Sequence, residues 1–246
     1  MSTSRERILT RLRASLDRNR AEMQAEAARA SHTPPPFVHP RQDDLAAQFA
    51  AELVRLEGHP HRCADDAAAL AAVRGVLQTH QATSVIAWDF EQIGLPGLDA
   101  LLAEAGVTLL DSRVVYTGAE RPARLQALEA APICISGADA GIAESGTLML
   151  FSGAGRPRLA SLLAPVHIAV LRTSQLVRGL GEGLAAIQAR YGPDIFRGRS
   201  NLMLISGPSR TADIELTLTL GVHGPREIHV VLIDSAPPDS GRTIEV

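Results

Sequence analysis

Between residues 64 and 136 the apolar period of the chain alternates repeatedly. ADDAAALAAVRGVLQTH has helical spacing, and ATSVIAW is a short β-rich run ending at Trp88. PGLDALLAEAG is helical, VTLL is short and extended, RPARLQALEAA is helical, and PICIS is extended, ending at Ser136. Parallel strands need a crossover of a dozen or more residues between them, usually a helix. This rhythm therefore predicts βαβ units on a largely parallel sheet, an α/β fold. Local signals agree with it. Asp65 and Asp66 put negative charge at a helix start, Pro96 opens the next helix and Gly106 closes it. Upstream, Asp43 and Asp44 precede the helical run AAQFAAELVRLEG, with Gly58 expected as its C′ residue.

After Ser136 the pattern changes. TLMLF, HIAVL, NLMLI and EIHVVLI are apolar runs with few helices between them, and only LGEGLAAIQARYG reads as a helix. The second half is expected to be richer in strand. At the other end, residues 4 to 30 read as a helix carrying Ile8, Leu9, Leu12 and Leu16 on one face. It must stop at SHTPPPFVHP, because consecutive prolines remove backbone donors and favour polyproline geometry. The expected organisation is an N-terminal helical arm and connector over 1–40, then one α/β domain over 41–246. The arm either packs on its own domain or reaches a partner subunit.

Composition narrows the function classes. Of 246 residues 46% are hydrophobic but only 3% aromatic, so a core must be built from Leu, Val, Ile and Ala. A net charge of −3 predicts no nucleic-acid footprint and no polybasic membrane patch. The two cysteines, Cys63 and Cys134, suit neither a disulfide framework nor a zinc motif. The charged start has no apolar leader, and no run approaches the ~20 apolar residues of a membrane span. A reduced, cytoplasmic protein is expected.

Polar groups concentrate in three loops that follow apolar runs, and ligands of open parallel sheets bind beyond the carboxyl ends of strands. In SGADAGIAESGTLMLF, Gly137, Gly141 and Gly146 allow tight turns with open N–H groups. Asp139, Glu144, Ser145 and Thr147 add side-chain donors and acceptors. Glu144 suits a general base or covalent nucleophile if partly desolvated; otherwise it caps a loop N–H. In FSGAGRPRL two arginines suit either a forked anion contact or a solvated turn. In SGPSRTADIELTLTLGVHGPR, Ser206, Ser209, Arg210, Thr211 and Arg226 surround the titratable Asp213 and His223. Asp213 and Glu215 share a face only on a strand. His167 and His229 lie in apolar runs and read as core-facing. His59 and His61 are too sparse for a metal site, and no metal is expected.

GADAGIAESGTLML together with SGPSRTADIELTLTLGVHGPREIHVVLID resembles the lactate utilization protein C family, whose shared unit is the LUD domain. The resemblance implies an α/β fold of the NagB/RpiA/CoA-transferase-like group, a mostly parallel sheet flanked by helices. It implies a role in bacterial oxidation of L-lactate to pyruvate, as one of three proteins whose other members carry iron–sulfur clusters. This chain lacks any CxxCxxC segment, which points to a non-redox subunit. By fold analogy a glutamate near the position of Glu144 serves as nucleophile or base. The expected site is a cleft for a small anionic ligand between Gly137–Thr147 and Ser206–Arg226. Arg210, Arg226 and loop N–H groups bind the anion, while Glu144, Asp213 and His223 are the titratable groups. No cofactor is specified. The alternatives are a free-standing NagB/RpiA-like enzyme acting on a phosphorylated or acyl substrate, and a non-catalytic ligand-binding scaffold.

Overall fold

In the computed structural model, aspartate side chains cap the first two helices that follow the connector. The structure describes residues 4–29, 36–38, 43–112, 121–192, 199–212, 218–221 and 223–234. The chain divides into two units, 1–34 and 35–246. The first holds α1 (Ser4–Arg29), on which Ile8, Leu12 and Leu16 are exposed.

The second unit opens with α2 (Leu45–Arg55), where the Ala47 N–H donates to Asp44 Oδ1 at 2.9 Å. This N-terminal cap satisfies an orphan amide of the first turn. At the other end Glu57, not Gly58, takes the left-handed conformation, with φ 64°. Gly58 is required for space instead: a Cβ there would lie 2.5 Å from Leu53 Cδ1. β1 (His59–Cys63) then leads to α3 (Asp66–Thr79), capped by Asp65 through the Ala68 N–H at 2.8 Å. β2 (Ser84–Ala87), α4 (Phe90–Ile93), α5 (Leu98–Glu104), β3 (Thr108–Leu109), α6 (Arg121–Glu129) and β4 (Ile133–Gly137) continue the expected alternation. The second half adds β5 (Ala140–Ile142), β6 (Thr147–Gly153), β7 (Val166–Arg172), β8 (Leu176–Val177), α7 (Leu180–Tyr191), β9 (Arg199–Ile205), β10 (Arg210–Ala212), β11 (Leu218–Leu220) and β12 (Glu227–Ile233).

Six strands form an all-parallel sheet in the order β1-β12-β7-β4-β2-β3. Its middle is dry. β7 is buried along its whole length and β12 along all but its first residue. Parallel strands covered on both faces read as continuous apolar runs, which is why HIAVL and EIHVVLI show no alternation. β1 was not expected as a strand. It lies at the sheet edge, a position where a proline is tolerated, and its residues are mostly exposed or half-buried.

The strand-rich second half builds a second sheet, β8-β5-β6-β9, with β6 antiparallel to both β5 and β9. Ile142, Met149, Phe151 and Ile187 form a separate apolar cluster, against which Val177 and Leu184 pack. β10 and β11 pair as an antiparallel ribbon. The fold is mixed α/β with a mostly parallel central sheet flanked by helices, as expected. Asp213 and Glu215 lie outside the described residues.

Candidate functional site

Glu144 sits in the turn Ala143–Gly146 between β5 and β6. Two amides hold this turn against β8 and the residue after it: Ala143 N–H donates to Val177 O at 2.8 Å and Glu144 N–H to Arg178 O at 3.0 Å. The half-buried carboxylate lies beside Gly179, the residue capping α7, and a Cβ on Gly179 would be 2.6 Å from Glu144 Oε1. Glu144 Oε2 accepts the Val38 N–H at 2.7 Å. Residues 36–38 are fixed nearby, since Pro36 O accepts the Glu182 N–H at 3.1 Å and the Phe37 ring lies 4.2 Å from the Arg178 guanidinium. Arg178 is in turn ion-paired with Glu182.

The two polar segments singled out in the sequence do meet at one point. Thr147 Oγ1 is 2.7 Å from Ser206 Oγ and 2.8 Å from Ser145 Oγ, so three hydroxyls form a chain from the Glu144 turn to the end of β9. The β6–β9 register makes this contact, because Leu148 pairs with Ile205 one step away. Ser145 and Ser206 are exposed. Beyond Ser206 the ribbon base is laced by backbone bonds: Ser209 N–H donates to Pro225 O at 2.8 Å and Gly221 N–H to Ser209 O at 2.9 Å. Arg226 lays its stem over Gly221, and both Arg226 and His223 are exposed. Thr211 lies in β10 opposite Thr219.

Other residues of that set have partners within the fold. Arg210 Nη2 donates to Leu56 O at 2.6 Å and pairs with Glu57 at 3.1 Å, a cation on the C-terminal carbonyls of α2. Gly146 and Gly207, both with positive φ, press on the same helix end: added Cβ atoms would lie 2.6 Å from Leu53 N and 2.7 Å from Leu56 O. Gly137 packs equally tightly against α4, where its Cβ would meet Gln92 O at 2.7 Å. Asp139 is buried and its oxygens are engaged. Oδ2 accepts the Phe151 N–H at 2.7 Å, and Oδ1 accepts Arg156 Nη1 at 2.7 Å and the Tyr191 hydroxyl. Burial and the neighbouring Asp139 carboxylate push the Tyr191 phenol above its ordinary range. Arg156, from the FSGAGRPRL loop, also donates to Gln92 and lies 5.1 Å from the Trp88 ring centroid.

Residues 46–233 match the LUD domain family. The chain belongs to that family. Lactate utilization protein C of Shouchella clausii is 35% identical over 163 residues, covering 66% of this chain and 68% of that one. Uncharacterized protein YkgG of Escherichia coli is 32% identical over 200 residues, covering 78% and 79%. A crystal structure of a DUF162 family protein from Deinococcus radiodurans superposes with a TM-score of 0.56 at 24% identity, covering 79% of this chain and 99% of that chain. That likeness bears on the fold.

Two features of this LUD domain had no signal in the sequence. At the C-terminal ends of β1, β7 and β12 lies an open cleft of about 450 Å³, lined in part by Asp43, Asp44, Arg62, Thr173 and Asp234. Arg62 reaches both Asp44 and Asp234 at 3.6 Å. Three carboxylates against one guanidinium make this cleft hostile to an anion, although it occupies the usual ligand position of such sheets. The second is a histidine cluster at the opposite strand ends. His61 Nε2 lies 2.9 Å from His229 Nδ1, and the rings of His59 and His229 stack at 4.7 Å. Burial, then His59 and His61, push the His229 imidazole down to about 4. Nothing in HPHRC or EIHVV announces the partnership; the parallel register of β1 on β12 creates it. Among the described residues no helix is long and apolar enough to cross a membrane.

Proposed function

We propose that this chain is a component of a bacterial L-lactate utilization system, a subunit that handles a small carboxylate rather than electrons. The names of its lactate utilization protein C relatives support the system. The observation that carries the site is the Thr147–Ser206 hydroxyl contact at 2.7 Å, which joins the Glu144 turn to the ribbon base. In this reading Arg226 supplies positive charge at the exposed base, with His223 and Ser209 beside it. Ser145, Thr147 and Ser206 offer hydroxyl donors, and Glu144 is the titratable group that moves a proton. Gly146, Gly207 and Arg210 act as positioning residues by fixing both segments to α2.

Electron carriers belong to partners. An iron–sulfur cluster needs about four thiolates, and the two cysteines here are both buried. Cys134 is pushed up to about 11 by burial, away from the thiolate form a cluster requires. Partners bearing iron–sulfur clusters are therefore part of the proposal. The test is a chromosomal deletion grown on L-lactate as sole carbon source. Loss of growth, restored by the wild-type gene but at least roughly tenfold less well by Glu144→Gln or Arg226→Ala, is the expected result. Wild-type growth of the deletion removes the lactate role. Full rescue by both variants removes the site while leaving the role intact.

A further inference from the structure

Five titratable side chains from three distant stretches meet where β1 and β12 begin, and the site above uses none of them. His59 is the first residue of β1, Glu227 the first of β12, and the register pairs His59 with His229. His61 comes from β1, and His80 is the residue capping the C-terminus of α3. His59, Glu227 and His229 each present one ligand atom, and these atoms lie within 4.8 Å of one another.

The decisive observation is at His229. Its Nε2 is buried and makes no hydrogen bond among the described residues. Its other nitrogen, Nδ1, is 2.9 Å from His61 Nε2. With the proton on Nδ1, His229 donates to His61 and presents the Nε2 lone pair to Glu227 Oε2, 3.5 Å away. In that tautomer the lone pair faces a carboxylate oxygen, an arrangement that a cation between them relieves. A tetrahedral ion with bonds of 2.0–2.1 Å spaces its ligand atoms about 3.4 Å apart, close to the 3.5 Å between His229 Nε2 and Glu227 Oε2. The supporting shell is also present. A ligating imidazole ordinarily donates its second N–H to an oriented acceptor, and with the proton on Nδ1 His229 has such an acceptor in His61 Nε2 at 2.9 Å. His80 Nε2 lies 3.3 Å from Glu227 Oε2 and steadies the carboxylate.

We propose that His59, His229 and Glu227 form a divalent transition-metal site of the zinc type, with His61 and His80 as its supporting shell, which pins edge strand β1 to β12. Two imidazoles and a carboxylate suit zinc or cobalt(II) rather than magnesium or calcium. The fourth position is open to water. The site lies at the N-terminal ends of the strands, away from the end where ligands of such sheets bind.

The full chain, stripped with chelator and dialysed, is titrated with cobalt(II) alone. The expected result is a visible absorption band of four-coordinate cobalt that saturates at about one ion per chain and is abolished by zinc. His59→Ala changes an exposed residue and leaves the fold intact by circular dichroism. With Glu227→Gln, it is expected to weaken cobalt binding at least tenfold, and His61→Ala by about 10–100-fold. His223→Ala leaves the titration unchanged. Absence of the cobalt band, or a titration unaltered in the folded His59→Ala and Glu227→Gln proteins, overturns the proposal.

Discussion

Asp139 shows how much a single buried carboxylate can hold. Its side chain is 1% exposed and that of Arg156 is 13% exposed, at 2.7 Å. Removing one member of such a pair leaves the other charge buried without compensation, which costs about 3–5 kcal/mol. Asp139→Asn is therefore expected to lower the urea unfolding free energy by roughly 3 kcal/mol. A loss under about 1 kcal/mol would show that water reaches Arg156. Sequence reading singles out Asp139 for a ligand, because its partners Arg156 and Tyr191 are 17 and 52 residues away and no spacing rule connects them. His167 gives a second expectation. Fully buried, with Nε2 2.8 Å from Ser136 Oγ, it is pushed by desolvation from 6.5 down to about 4. The folded chain keeps this ring neutral while the unfolded chain takes up the proton. Stability is thus fully present above pH 6.5 and falls as pH drops toward 4. Between pH 7.5 and pH 5 the loss from His167 is about 2 kcal/mol. Denaturant midpoints measured at the two pH values check it, and His167→Gln is expected to flatten the difference.

The last turn of α2 organises the ends of two strands. Gly146 and Gly207 approach it from separate segments and Arg210 caps its carbonyls. Gly146→Ala places a methyl 2.6 Å from the Leu53 amide nitrogen at a residue with φ 59°, so both space and backbone conformation oppose it. A loss of roughly 2–3 kcal/mol is expected in thermal or chemical unfolding. A variant as stable as the parent would mean that α2 can shift. Element types were legible wherever period and punctuation agreed, as in α5 between Pro96 and Gly106. They were not legible where burial was low. HPHRC is a strand because β12 pairs with it, not because its residues favour one. The same limit applies at Gly58: a glycine after a helix suggests a left-handed cap, but only the position of Leu53 Cδ1 reveals that the glycine is there to leave room.

For the whole molecule, both apolar clusters are built from residues at position 45 or later. Removal of residues 1–34 is accordingly expected to leave the cooperative transition of the remainder within about 2 °C, read by calorimetry. A larger drop would give the arm a share in the core. The α/β class and the likeness to the LUD domain were visible in the sequence, since strand–helix rhythm and two motifs are local properties. The acidic cleft and the histidine cluster were not, because each is assembled by strands and loops that approach only after the sheet is ordered. That order has a consequence for synthesis. β12 lies between β1 and β7, so the first strand has no neighbour until the last one arrives. A ribosome must release residue 233 before the edge can zip up. Until then a nascent chain carries a sheet that stops at an unpaired β7 with β1 detached, the kind of exposed intermediate that chaperones recognise.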